Sequence, residues 1–227
     1  MYDLLLLALA PVTILCVYIY IRDKYEREPI RLLLTGLIFG AIITAPIIHV
    51  ENFVTLFAPN AGLLWEAFFL SFFVASLVEE SFKYIILFFL VWKNNNFNER
   101  LDGIVYSVFI SLGFAAVENV LYVFNPYLGG LHTGLARAFI SVPAHAFFGV
   151  VMGYHFALSK FDQHSKGKHF FYAFFMPFLL HGIYDFILMS NLPYLMVFFT
   201  AFVIYLWISG FKKISALLLL SPFKNQS

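Results

Sequence analysis

"FVASLVEESFKYIILFF" (Phe73–Phe89) decides how this chain is to be read. Two adjacent glutamates and a lysine, Glu79, Glu80 and Lys83, sit in a run that is otherwise almost entirely apolar. What surrounds the run sets its solvent. Of the 227 residues, 62% are hydrophobic, 20% aromatic and only 12% charged, and the mean hydropathy is +0.85. A soluble domain of this size does not have that composition, so most of the chain is expected to face lipid. The formal net charge of +1 points to neither nucleic acid nor an acidic partner.

A bilayer core about 30 Å thick is crossed by about 20 apolar residues in a helix. Seven such runs are present, at 2–21, 31–50, 65–92, 103–124, 135–158, 170–190 and 191–209. The first is read as a retained helix because Asp3 and the absence of Lys or Arg before it are unlike a signal peptide. Its apolar stretch also continues past "ALA" at 8–10. Between the last two runs, Pro193 in "SNLPY" marks either a turn or a kink. Cys16, the only cysteine, lies in the first run, which leaves no internal disulfide and no cysteine metal site. The expected fold is therefore all-α, a polytopic membrane helical bundle of about seven spans. Residues 1–227 form one integral membrane domain, with its motif-bearing core at about 65–190.

Charge placement agrees with that count. The connector "RDKYEREPIR" carries four Lys/Arg, "KNNNFNERLD" two, "SKFDQHSKGKH" three and the tail after Gly210 three, whereas the alternate connectors carry none. Positive residues collect on the cytoplasmic side, so the N-terminus is expected outside and the C-terminus in the cytoplasm of a multi-pass cell-membrane protein. "GLIFG" (Gly36, Gly40) and "GVVMG" (Gly149, Gly153) have the small-xxx-small spacing that lets helix backbones approach closely.

Ionisable side chains inside a membrane are costly, which makes each a candidate for function. Besides Glu79, Glu80 and Lys83, "FAAVEN" brings Glu118 and Asn119, "PAHAFFG" brings His145, and "HGIYD" brings His181 and Asp185. At a rise of about 1.5 Å per residue, Glu79, His145 and His181 fall near mid-membrane on helices of alternating direction, with Glu118 and Asp185 toward the outer side. Glu79 and Lys83 are four apart, as are His181 and Asp185, so each pair shares a helix face. Glu80 is turned about 100° from Glu79 and cannot do the same job. Pro143, two residues before His145, is expected to kink its helix.

Carboxylates and histidines in a desolvated pocket can act as general base, general acid and oxyanion donor. Glu79 is the expected base for a water that attacks a peptide carbonyl. Lys83 keeps that base ionised against the effect of burial, and Glu80 positions Lys83 or nearby backbone. Neither "HExxH" nor "GxSxG" occurs. No cofactor is required by this chemistry, although zinc held across helices by Glu79, Glu118, His145 and His181 is an open alternative. A second class also fits these residues, a non-proteolytic binding or immunity protein or a proton-coupled carrier.

The ordered set "EESFK", "FAAVEN", "HAFFG" and "HGIYD", after an early "RDKYEREP", resembles the PrsW family of glutamic-type intramembrane proteases. That family is in turn similar to the CAAX prenyl endopeptidase and Abi superfamily. The resemblance implies an endopeptidase that makes the first cut in a single-pass substrate, a membrane-spanning anti-sigma factor. It also implies that Glu79 and Glu80 match the first motif, with Glu79 as the water-activating base. Glu118 stands where the CAAX endopeptidases have a histidine that helps activate water. His181 and Asp185 match a pair implicated in oxyanion stabilisation, with Asp in place of Asn. An ionised carboxylate cannot donate, so Asp185 is assigned to orienting His181.

Overall fold

The computed structural model describes residues 2–224. These are helical, and no strand occurs among them. The helices are α1 (Tyr2–Arg22), α2 (Ile30–Ile42), α3 (Thr44–Thr55), α4 (Leu63–Phe69), α5 (Leu77–Val91), α6 (Arg100–Val123), α7 (Leu131–Phe139), α8 (Ser141–Phe161), α9 (Lys166–Met189) and α10 (Pro193–Leu219), with a π-helical segment at Leu70–Ser76 joining α4 to α5. Six stretches are long and apolar enough to cross a membrane: Tyr2–Arg22, Ile30–Thr55, Arg100–Val123, Leu131–Phe161, Lys166–Met189 and Pro193–Leu219. The other expected run, 65–92, is helical from Leu63 to Val91 but as the α–π–α succession, with four charged residues along it.

Two breaks inside expected spans share one cause. Pro46 and Pro143 each lie in the first turn of a new helix, α3 and α8. A proline cannot give an N–H to the carbonyl four residues back, so the preceding helix ends upstream, at Ile42 and at Phe139. The expected kink at Pro143 is thus a helix break centred on Ile140, and the proline sits where its missing donor costs nothing. At the end of the chain the structure decides between the two readings of Pro193 and lengthens the last helix. Asn191 adopts φ 53 and Pro193 opens α10, so "SNLPY" is a turn between two helices, and α10 continues past Gly210 to Leu219.

The centre of the bundle is α6, buried on nearly every face from Leu101 to Ala115. It packs against α1, α2 and α8, and glycines set the distances. A Cβ on Gly40 would run into the Ile110 carbonyl, and one on Gly113 into that of Leu37. On the other side, a Cβ on Gly103 would lie 2.7 Å from the Gly153 carbonyl, and one on Gly149 would lie 2.8 Å from Ser111 Oγ. Three of the four glycines read from the sequence as packing residues therefore sit against α6, at separations that no side chain tolerates without a shift.

Candidate active site

The π-helical segment delivers the first two acids to the centre. Such segments change the helical register locally and recur at functional sites. Here the segment is clamped by α9: Ser76 donates to the Phe178 carbonyl at 2.5 Å, and a Cβ on Gly182 would run into the Phe72 ring. Immediately after it, α5 begins with Glu79, Glu80 and Lys83 on its buried side.

Lys83 lies between the two carboxylates. Its Nζ donates to Glu79 Oε2 at 2.9 Å and to Glu80 Oε1 at 2.8 Å, and it lies 3.5 Å from Nδ1 of His145. The Phe114 ring sits under the ammonium at 4.3 Å. An unpaired buried charge costs several kcal/mol, and the lysine shared by the two glutamates leaves none of the three without a partner.

The neighbouring glutamates then diverge. Glu79 lines a cavity of about 550 Å³, and Glu80 does not. Glu79 Oε2 is 4.0 Å from Nδ1 of both His145 and His181. Glu80 is fully buried and accepts Nδ1 of His181 at 3.0 Å, which ties α9 to α5. Nε2 of His181 faces Asp185 Oδ2 at 3.1 Å, so both ring nitrogens are placed to donate to carboxylates. Phe148 stacks on that imidazole with ring centroids 4.8 Å apart, and the two histidine rings meet edge to face at 5.3 Å.

Glu118 belongs to a second tier. Its Oε2 takes Nη2 of Arg137 at 2.7 Å and faces Nε2 of His145 at 2.9 Å, which leaves Nδ1 of His145 directed toward Lys83 and Glu79. Arg137 also donates through Nε to Asn119 Oδ1 at 2.8 Å, and Asn119 donates to the Ala8 carbonyl of α1 at 2.7 Å. Asn119 is therefore a strut behind Arg137 and does not line the cavity.

All six residues expected to be catalytic thus join one hydrogen-bonded network, but two residues of the site carried no role in the sequence reading. Arg137, in the last turn of α7, is absent from the candidates drawn from the sequence. Glu51, taken for part of a connector, lies on α3 and lines the cavity with Thr44, Ile47 and Ile48. The spacing 44, 47/48, 51 is that of one helix face, and only the assumed end of the second run at residue 50 hid it.

The metal set also changes. Glu79, Glu80, His145 and His181 each offer a ligand atom, all within 4.8 Å of one another, whereas the expected set had Glu118 in place of Glu80. Two imidazoles and two carboxylates are acceptable zinc donors. As arranged, however, they do not fit a dication: the Lys83 ammonium bonds both carboxylates and faces one imidazole nitrogen. A metal ion would have to displace it and share the pocket with its charge.

The sequence profile described as "PrsW family intramembrane metalloprotease" matches residues 28–209. Among curated relatives, "Protease PrsW" of Clostridioides difficile (strain 630) is 40% identical over 90% of this chain and 87% of its own length. The protein of the same name from Geobacillus kaustophilus (strain HTA426) is 34% identical over 94% and 92%, and that of Bacillus subtilis (strain 168) is 35% identical over 94% of each. No solved structure matches the chain. The profile takes in the whole hydrogen-bonded centre, from α3 through α9, and the relatives extend over nearly the full length: this multi-pass membrane protein belongs to the PrsW family of intramembrane proteases.

Proposed function

We propose that the chain cuts a single-pass membrane protein with a water molecule activated by Glu79, without a metal. The observation that carries this reading is the division between the adjacent glutamates: Glu79 faces the cavity beside two imidazoles, and Glu80 is sealed behind it, holding Lys83 and His181. Glu79 takes a proton from the water as its oxygen attacks the substrate carbonyl, and gives that proton to the departing amine as the C–N bond breaks. Nε2 of His181 is the donor for the oxyanion. Its present partner, the carboxylate oxygen of Asp185 at 3.1 Å, occupies the kind of position an oxyanion takes, and Asp185 yields it when substrate enters. His145, held by Glu118 through Nε2, keeps its Nδ1 turned toward the base.

The cavity volume falls in the ~300–1,000 Å³ range of sites that enclose a small ligand, enough for a short extended segment of substrate. In this reading that segment belongs to a membrane-spanning anti-sigma factor, as the family resemblance implies, and the enzyme lies in the cell membrane; the Lys/Arg bias of the connectors supports an N-terminus outside. A Glu79→Gln variant tests the base. Co-expressed with a tagged candidate substrate, it is expected to accumulate in the membrane at the wild-type level and to release no fragment; a fragment at the wild-type rate removes Glu79 from this role.

A second reading has its own support in the four donors within 4.8 Å and in the word "metalloprotease" in the family description. Purified enzyme that loses turnover on chelation and regains it with zinc or cobalt favours that reading. Undiminished turnover in metal-stripped protein excludes it.

A further inference from the structure

At the opposite end of the chain's polar inventory lies a second cluster, of acids alone. Asp23, Glu26 and Glu28 come from the connector between α1 and α2, and Glu99 and Asp102 from the start of α6. Glu26, Glu28 and Asp102 each place a carboxylate oxygen within 4.8 Å of the other two. Two of the three are sealed from solvent, Glu28 at 2% exposed and Asp102 fully buried, while Glu26 is half-buried.

Half of the cluster's bonding capacity is spent locally. Asp102 Oδ2 caps the start of α6 by accepting the N–H groups of Glu99 at 2.7 Å and Asn98 at 2.9 Å. The Tyr106 hydroxyl donates to Glu28 Oε2, and Asp23 Oδ2 accepts the Glu28 N–H at 3.2 Å. At least one oxygen of each carboxylate is left over. Asp23 Oδ1, Glu26 Oε2, Glu28 Oε1 and Asp102 Oδ1 are all buried without a hydrogen-bond partner. Orphaned buried carboxylate oxygens in one place are costly unless something positive completes them.

Bases lie near enough for the charge of Arg27 to act on Asp23 and that of Lys160 on Asp102, but their hydrogen bonds and ring contacts go elsewhere. Arg22 donates through Nη2 to Ser215, and Lys160 donates to the Phe97 and Trp92 carbonyls. Arg27 lies over the Tyr20 ring and Arg100 over that of Phe161.

We infer that Glu26, Glu28 and Asp102 form a binding site for a hard divalent cation, Mg²⁺ or Ca²⁺, that fastens the α1–α2 connector to the start of α6. Carboxylate-only donor sets select such ions over zinc, which favours nitrogen and sulfur. The orphaned oxygens of the three side chains supply the first ligands, and Asp23 closes the cluster on the connector side. Because α6 is the centre of the bundle, the ion fixes the helix on which Glu118 is carried without touching the proteolytic site.

The test uses full-length protein in detergent, stripped with EDTA and titrated with Mn²⁺ while free Mn²⁺ is followed by electron paramagnetic resonance. One Mn²⁺ per chain is expected, displaced by Mg²⁺ or Ca²⁺, with affinity lowered at least about tenfold in Asp102→Asn and Glu28→Gln and unchanged in Glu79→Gln. Should both variants fail to fold, the wild-type titration decides alone: no ion bound at millimolar Mn²⁺ overturns the proposal. So does an ion lost in Glu79→Gln and kept in Asp102→Asn, which would belong to the membrane centre. A third result also overturns it: no bound ion, and a melting temperature that rises only as pH falls. Glu28, its carboxyl raised in the folded state, then shares a proton with Asp102; stability from that proton is present at low pH and lost as pH climbs toward 10.

Discussion

The chain contains two buried groups of acids that solve the same problem differently. Around Glu79 the carboxylates are interleaved with cations and imidazoles: Lys83 serves Glu79 and Glu80, Arg137 serves Glu118, and His181 bridges Glu80 to Asp185. Around Glu28 the hydrogen bonds of the acids run to a tyrosine hydroxyl and backbone N–H groups, and oxygens remain over. Low dielectric strengthens both the attractions in the first group and the repulsions in the second. The first network leaves Glu80 Oε2 without a hydrogen-bond partner but pairs every one of its carboxylates with a cation or an imidazole, whereas the second leaves several oxygens over and calls for a ligand.

The contrast breaks most visibly at the base. Glu79→Gln is nearly isosteric and keeps its place in the fold, and the loss of a positioned general base lowers cleavage by about 10²–10⁴-fold. Quantifying the released fragment against membrane-resident enzyme checks it. Lys83→Met comes next. It strands two adjacent buried carboxylates, and breaking such a pair from one side costs about 3–5 kcal/mol. Thermal unfolding in detergent is expected to show the loss, together with inactive enzyme. A variant that unfolds like the wild type would mean that the network around Lys83 is held by something other than its charge.

Smaller effects sharpen the comparison. Arg137→Gln leaves Glu118 to His145 alone, and removing this charged hydrogen bond is expected to cost about 1.5–3 kcal/mol, appearing as a slower turnover with the folded fraction retained. Chelation separates the two regions directly. EDTA is expected to lower the melting temperature of the wild type by a few degrees, through release of the ion from the Glu28 cluster, while turnover below that temperature is unchanged. In Asp102→Asn the same treatment is expected to move neither. If EDTA instead stops turnover in both proteins, the ion that matters lies among Glu79, Glu80, His145 and His181.

Much of the membrane centre was legible before any coordinate. Charged residues in apolar runs stand out because the membrane makes them expensive, and the i,i+4 pairs Glu79–Lys83 and His181–Asp185 follow from helix geometry alone; both are bonded as their spacing demands. The Glu28 cluster escaped notice for the opposite reason. In "RDKYEREP" and "NERLD" acids and bases alternate as they do in any solvated connector, and nothing in the order of residues says that the bases will turn to rings and carbonyls while the acids turn inward.

The sequence by itself determined the solvent of the chain, the apolar helices and the two intrahelical pairs, because hydropathy and local spacing act over a few residues and require no knowledge of neighbours. Only the tertiary structure decided which face each helix shows to the others: that Glu80 meets His181, that Glu118 meets Arg137 and His145, and that Glu51 reaches the cavity. Those pairings depend on helix rotation and depth, set by the glycine contacts of α6 and by the π-helical segment before Glu79. A rotation of one residue, about 100°, would replace Glu79 with Glu80 at the cavity wall.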